Sequence, residues 1–238
     1  MVIVINQNIP SIPAHVEQIR HYGNFYHHVL IALGYPVDSP PLGELLCRYH
    51  GLSGEWLIAS PIHWEATHND AMIVACGDEL GIDEQQSREL FHALMVFMKD
   101  EHMTMYYHDT STWLIQVLNQ PKVHALSPYT LLHQSMLTHL TRLDETRYWQ
   151  KCITEIQMFL SMHPLNQGSQ IACTVNGVWL WGGGALHVPT DRPVFCDANV
   201  FKLAEIVSHP VVLDKDLSLI DLPKDCILLL EQLSQSEK

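Results

Sequence analysis

The segment EWLIASPIHWEATHNDAMIVAC, residues 55–76, decides the fold. Its two apolar runs, EWLIAS and AMIVAC, are short and bounded by polar residues, a pattern that predicts two β-strands. Residues 83–102 begin with Asp83 and Gln86 in the positions of a capping box, and apolar residues then recur at helical spacing. The run TWLIQVL, residues 112–118, predicts a further strand. We therefore expect a sheet with a helix packed on one face.

Further elements are predicted on both sides of this unit. A helix is expected from about Pro13 to Leu33, followed by a loop over GYPVDSPPLGE, whose prolines exclude a helix. Downstream, Ser127 as a cap and Pro128 at the first helical position predict a helix that reaches about Leu143.

The last third of the chain continues this alternation. Asp144 is the expected cap of a helix whose apolar stripe ends near Pro164. VNGVWLWG, residues 175–182, predicts a strand, and FKLAEIV and DCILLLEQL supply a further helix or two, or a strand. The fold class is α/β with α+β character, a mixed sheet with packed helices, and we expect one globular unit over residues 1–238.

Composition restricts the function. With 13 Lys and Arg against 26 Asp and Glu, the net charge of -13 disfavours nucleic acid as a partner. The chain has neither a basic, apolar leader nor an apolar run long enough for a membrane span. Its six cysteines form no C-x-x-C pair and are expected as buried free thiols. We expect a soluble, cytoplasmic protein.

The segment FLSMHPLNQGSQIACTVNGVWLWGGG, residues 159–184, is the candidate ligand site. Polar side chains flank a predicted helix end and strand, and successive glycine amides can form an anion-binding nest. The candidate ligand-binding residues are His163, Asn166, Asn176, Trp181, Gly182, Gly183 and Gly184.

A structural interpretation of the same residues competes with the ligand site. His163 would contact the last helical carbonyls, Asn166 would occupy a tight turn, and the glycines would end a crowded strand. No lysine or arginine occurs between His163 and Thr190, which weighs against a phosphate ligand and favours the structural interpretation. The methionines of MFLSMH, residues 158–163, are predicted to be helical core.

Metal and nucleophile signals are weak elsewhere. HWEATHND brings His63, His68 and Asp70 together in sequence, but this spacing matches no standard ligand frame and favours a turn between strands. The chain has no G-x-S-x-G elbow. We therefore assign no catalytic residue, no metal site and no cofactor.

The run EIQMFLSMHPLNQGSQIACTVNGVWLWGGG, residues 155–184, resembles the RpfE-type regulatory protein family, and EWLIASPIH also fits that family. More distantly, the chain is similar to the archaeal-type cofactor-independent phosphoglycerate mutases of the alkaline phosphatase superfamily. The resemblance implies part of an alkaline-phosphatase-like sheet plus the inserted subdomain of the mutases, with residues 55–190 corresponding to that subdomain.

The catalytic groups of the mutases have no counterparts at the matching positions. YGNFYHH places Asn24 and Phe25 where the mutases carry a hydroxyl nucleophile, and Ser169 and Trp181 stand where they carry arginines. VIVINQNIP has no Asp-Gly pair, and the distal metal-binding motifs are absent from the sequence. Without these groups a phosphoryl transition state lacks its stabilising charges.

Two hypotheses of function follow. The first is a non-catalytic, cytoplasmic regulatory or interaction protein on a degenerate mutase-like scaffold, which binds a polar small molecule or a protein partner. The partner hypothesis assumes that Trp179 and Trp181 lie on opposite faces of one strand, so that one contacts another layer or another chain. The alternative is a phosphoglycerate mutase or related phosphotransfer enzyme with an atypical metal site among the 16 histidines.

Overall fold

The computed structural model describes residues 1–6, 23–66, 70–101, 103–167, 173–187, 191–212 and 222–232. The strands are β1 (Val2–Ile5), β2 (Glu55–Ala66), β3 (Ala71–Cys76), β4 (Met105–Asp109), β5 (Thr112–Val117), β6 (Gly177–Trp181), β7 (Val194–Cys196), β8 (Val211–Val212) and β9 (Ile227–Leu230). The helices are α1 (Phe25–Ala32), α2 (Leu42–His50), α3 (Glu84–Phe97), α4 (Pro128–Leu131), α5 (Leu137–Leu140), α6 (Tyr148–Ser161), α7 (Pro164–Gln167) and α8 (Phe201–Val207). Short 3₁₀ helices follow β3 and α3.

Two sheets of different type make this a mixed α/β protein. A parallel sheet has the order β1-β9-β7-β8, so the first and last described strands of the chain are neighbours. β9 is a run of four buried apolar residues between two neighbours, which is the pattern of a central parallel strand. The sequence left this segment open between helix and strand.

The second sheet is antiparallel and is organised around β2. Ile58 pairs with Leu114 of β5 and with Trp181 of β6, so these two strands lie on opposite edges of β2. β3 pairs with the second half of β2, and β4 extends the sheet beyond β5. The predicted strands β2, β3, β5 and β6 are confirmed, whereas β4 was not predicted.

One buried apolar cluster joins the two sheets. It contains Val4 and Leu229 from the parallel sheet together with Ile58 and Trp113 from the antiparallel sheet. α2 contacts β2 on one side and α8 on the other. No helix within the described ranges has both the length and the apolar character that a membrane span requires.

Local signals explain the helices that the sequence predicted well. Asp83 accepts the N–H of Gln86, whose side chain accepts the N–H of Asp83, so the predicted capping box is present at the start of α3. α1 begins only at Phe25, because Asn24 caps it and Gly23 is not helical. The upstream part of the predicted helix from Pro13 lies outside the described residues.

The continuous helix predicted from Ser127 to Leu143 is wrong. Ser127 caps α4, but α4 ends at Leu131, and α5 starts only at Leu137. Between them, the N–H of His133 donates to the carbonyl of Ile73 at 2.9 Å and the N–H of Met136 to that of Ala71 at 2.8 Å. Pairing with the edge of β3 therefore replaces the local helical hydrogen bonds.

The two tryptophans of β6 are both buried by the chain itself. Trp179 and Trp181 are 0% and 1% exposed, and their indole N–H groups donate to the carbonyl of Leu126 and the hydroxyl of Ser60. The expectation that they lie on opposite faces is wrong, because residues two apart in a strand share a face. Neither ring therefore needs another chain to cover it.

Candidate functional site

The turn after α6 is held by Asn166. Its side-chain amide donates to the carbonyls of Leu160 and Val175 at 2.7 Å each, and its carbonyl oxygen accepts the N–H of Val175 at 3.0 Å. His163 lies beside it and accepts the N–H of Leu165 at 3.3 Å through Nδ1. The Asn166 side chain thus joins the end of α6 to the segment that enters β6.

Asn176 clamps an irregularity in β2. Its carbonyl oxygen accepts the N–H of Trp64 at 2.9 Å, and its amide donates to the carbonyl of Trp64 at 2.8 Å. The register between β2 and β3 shifts at this point, between His63 and Trp64. An asparagine side chain that offers one donor and one acceptor to a bulge replaces the missing strand partner.

The glycines after Trp181 pack against α2. The carbonyl of Gly182 accepts the N–H of Gly43 at 2.9 Å, and Gly182 itself is buried with φ of +73°. A Cβ at Gly183 would lie 2.9 Å from the side chain of Leu57. Gly184 is exposed and also has a positive φ, of +123°. The close approach of two backbones at Gly43 and Gly182 requires glycine at both positions.

The structure thus places the candidate residues in two groups. His163, Asn166 and Asn176 lie around the entry to β6, whereas Trp181 to Gly184 lie at its exit. The side-chain amides of both asparagines bond to backbone groups of the chain. Ligand binding at these residues stays a prediction. Asn166 and the glycines make the contacts of the structural interpretation, whereas the His163 ring accepts the N–H of Leu165 rather than contacting the last helical carbonyls.

The HWEATHND segment has comparable internal contacts. His63 bonds through Nδ1 with Thr174, and Asp70 accepts the hydroxyl of Ser135 at 2.6 Å, while His68 lies outside the described residues. No group of three or more His, Cys, Asp or Glu in the described part of the chain is arranged to hold a metal ion. All six cysteines are described, and none forms a disulfide.

A histidine pair that the sequence did not indicate links α2 to β4. Nε2 of His50 and Nδ1 of His108 are 2.9 Å apart, and the hydroxyl of Tyr106 lies 3.2 Å from Nδ1 of His50. Burial, together with the neighbouring His108 and Lys202, lowers the pKa of His50 to about 4. Burial also lowers the pKa of His108, against the opposing effect of Asp109. Because 58 residues separate the two histidines, no local spacing signals the pair.

The ends of α3 and α6 form an exposed apolar surface. The rings of Phe97 and Phe159 stack with centroids 4.4 Å apart and fix the two helices side by side. Around this stack lie the residues of what we name the α3–α6 surface: Met95, Val96, Phe97, Met158 and Met162.

The prediction that the methionines of MFLSMH are core is wrong. Met158 and Met162 are 62% and 70% exposed, because they lie outside the buried stripe of α6 that contains Ile156 and Leu160. The two methionines are four residues apart and out of phase with that stripe, and this spacing was the signal that could have indicated their exposure.

Comparisons with known proteins found no protein similar to this chain. No protein-family model, no curated protein and no solved structure matches the chain. The class that the fold defines is therefore a mixed α/β protein with one parallel and one antiparallel sheet, and its function has to be argued from its own surfaces.

Proposed function

We propose that this chain is a non-catalytic, cytoplasmic regulatory or interaction protein that binds a protein partner through the α3–α6 surface. Its scaffold is an α/β arrangement related to part of the alkaline-phosphatase-like fold of the mutases, as the resemblance of residues 155–184 implies. The exposure of the α3–α6 surface is the single observation that carries the proposal.

The exposed side chains are large and lie on two helices that the Phe97–Phe159 stack joins. Val96, Met158 and Met162 are 69%, 62% and 70% exposed. Clusters of exposed apolar side chains mark interaction sites, because their burial contributes roughly 25 cal/mol per Å². Unbranched methionines adapt to the shape of a partner, which suits a regulatory contact.

The position of the missing nucleophile supports a non-catalytic role. Asn24, where the resemblance to the mutases places a hydroxyl, uses its carbonyl oxygen to accept the N–H of His27 at 2.9 Å. Its amide donates to the hydroxyl of Thr112 at 3.0 Å. Both polar groups of Asn24 thus serve to cap α1 and tie it to β5. A net charge of -13 also disfavours nucleic acid as the partner.

The experiment compares the wild type with a Met158→Glu/Met162→Glu variant. The control is Leu118→Glu, which places one glutamate, against the two of the double variant, at a 53% exposed apolar residue outside the surface. We expect the wild type and the control to co-purify with the same protein and the double variant to lose it, with unchanged thermal midpoints.

Three results would overturn the proposal. Equal retention of the partner by all three proteins would remove the α3–α6 surface from the interaction. Turnover of 3-phosphoglycerate, with about two divalent ions bound per chain, would support the enzymatic alternative and remove the non-catalytic role. Concentration-dependent self-association that the double variant abolishes would identify a second copy as the occupant and overturn the assignment to a different protein.

A further inference from the structure

A groove of about 510 Å³ lies at the start of α6, away from the surface at the other end of that helix. Its walls are the segment 121–124 and the turn 141–146. The side chains that matter for its chemistry are Lys122, His124, Arg142, Asp144 and Glu145.

The two walls are held in place by hydrogen bonds. The N–H of His124 donates to the carbonyl of Leu143 at 2.8 Å. The indole N–H of Trp149, the second residue of α6, donates to the carbonyl of Pro121 at 2.6 Å. Since Trp149 is 0% exposed, the segment 121–124 is anchored to the core, and the groove exists before any ligand binds.

The two cationic side chains of the groove form no ion pair within the described part of the chain. Lys122 and Arg142 are exposed and take part in no ion pair with the residues that the structure describes. By contrast, Arg48, Arg88 and Lys151 each pair with a glutamate four residues away on their own helix. Two cations without an ion-pair partner among the described residues thus line one groove, where they can attract an anion in a chain of net charge -13.

The two acidic residues of the groove, Asp144 and Glu145, differ in how far they offset the positive charge of Lys122 and Arg142. Asp144 is 6% exposed, and its carboxylate accepts the N–H groups of Trp149 at 2.9 Å and Thr146 at 2.8 Å. These N–H groups at the start of α6 offset part of the negative charge of Asp144. Glu145 is exposed and keeps its charge at the groove. A ligand with a single compact anionic head therefore fits better than one with anionic groups at both ends.

We propose that this groove binds a small molecule through one oxyanion group, a phosphate or a carboxylate, held by Arg142 and Lys122. The planar guanidinium of Arg142 matches two oxygens of such a group, and the ammonium of Lys122 adds a point charge. This small-ligand site is separate from the α3–α6 surface, and neither proposal depends on the other.

The test is calorimetric titration of the intact protein with inorganic phosphate and with acetate at constant ionic strength. We expect saturable binding of one anion per chain with a dissociation constant of about 1 mM. Arg142→Gln should weaken binding about tenfold and Lys122→Gln about threefold, because each removes a charge from the head-group contact. Lys99→Gln, at an exposed lysine outside the groove, is the control and should bind like the wild type.

Each outcome of the titration bears on the site. Tighter binding of phosphate identifies a phosphate ester as the ligand class, and tighter binding of acetate a carboxylate; either result supports the site. Binding that does not saturate, or that Lys99→Gln weakens as much as Arg142→Gln, would overturn it. The Lys122 side chain is exposed and lies outside helices and strands, so Lys122→Gln decides the matter even if Arg142→Gln fails to fold.

Discussion

His50 on α2 and His108 on β4 share one hydrogen bond, with 2.9 Å between Nε2 of the first and Nδ1 of the second. If the Tyr106 hydroxyl donates to Nδ1 of His50, then His50 donates from Nε2 to His108. Nε2 of His108 is then left with its hydrogen, 3.6 Å from a carboxylate oxygen of Asp109. Both rings are neutral in this arrangement, and the hydrogen bond between them is lost when both are protonated, because N–H then faces N–H.

The histidine pair predicts that stability falls in mild acid. Burial lowers the pKa of His50 to about 4, so between that value and the unfolded value of about 6.5 the unfolded chain binds more protons. Stability is therefore fully present above pH ~6.5 and is lost as the pH falls towards 4. We expect a loss on the order of 1 kcal/mol between about pH 7.5 and 5, after discounting for solvent screening. Thermal unfolding at both pH values measures it.

Two variants separate the pair from the other histidines. His50→Gln should flatten the pH dependence, whereas His92→Gln, at an exposed residue of α3, should leave it as in the wild type. Equal slopes in the wild type and His50→Gln would contradict the assignment. Asp109, Lys202, Tyr26 and Tyr49 also lie around the two rings and stay constant in this comparison.

The close packing of α2 against β2 predicts a severe effect of Gly43→Ala. The added Cβ would lie 2.2 Å from the carbonyl oxygen of Trp56, so the helix or the strand has to shift. We expect a loss of about 3 kcal/mol in the free energy of unfolding, measured in urea. Gly51→Ala is the control, because its φ of +66° imposes strain of about 1 kcal/mol but no atom lies within 4 Å. Similar losses in both variants would show that the contact at Gly43 relaxes freely.

The elements that the sequence predicted are those with signals inside one segment. The capping box of Asp83 and Gln86 fixed the start of α3, and the stripe from Trp149 to Leu160 fixed α6. The cap position of α6 is Arg147, however, and the predicted cap Asp144 binds the first N–H groups of the helix from three residues further upstream. Propensity and periodicity decide such elements locally. The α/β class of the fold was predicted from these elements, and the two sheets of the structure agree with it.

What the sequence did not predict depends on distant partners. The break between α4 and α5 arises because the carbonyl of Ile73 in β3 accepts the N–H of His133, which lies 60 residues further along the chain. The His50–His108 pair and the groove between Lys122 and Arg142 likewise join separate segments. Around the predicted ligand site, spacing alone does not distinguish an asparagine that binds a ligand from one such as Asn166 that binds Val175.

The contacts of Asn166 predict that its loss destabilises the fold. Asn166→Ala would leave the N–H and carbonyl of Val175, a residue that is 0% exposed, without this partner. We expect a loss of about 2 to 3 kcal/mol in the free energy of unfolding. Gln167→Ala, at the exposed neighbouring residue, should stay within about 0.5 kcal/mol of the wild type. An Asn166→Ala variant of full stability that has lost only a ligand response would instead support the ligand site.

The Asp144 carboxylate, which accepts the first N–H groups of α6 from outside the cap position at Arg147, makes a prediction that joins stability to pH. Burial acts to raise the pKa of Asp144, but hydrogen bonds from the Thr146 hydroxyl and from the backbone of Trp149, Tyr148 and Thr146 outweigh it, so the pKa is lowered. The stabilisation by the charged carboxylate is thus present above the unfolded value of about 3.8 and is lost as the pH falls below it. At neutral pH we expect Asp144→Ala to cost about 2 kcal/mol, since the first N–H groups of α6 lose their acceptor. Glu145→Ala removes the exposed neighbouring charge and should change stability by less than about 0.5 kcal/mol. Urea unfolding of both variants decides the point, and equal losses would mean that general acidity near the helix start, rather than the hydrogen bonds of Asp144, stabilises α6.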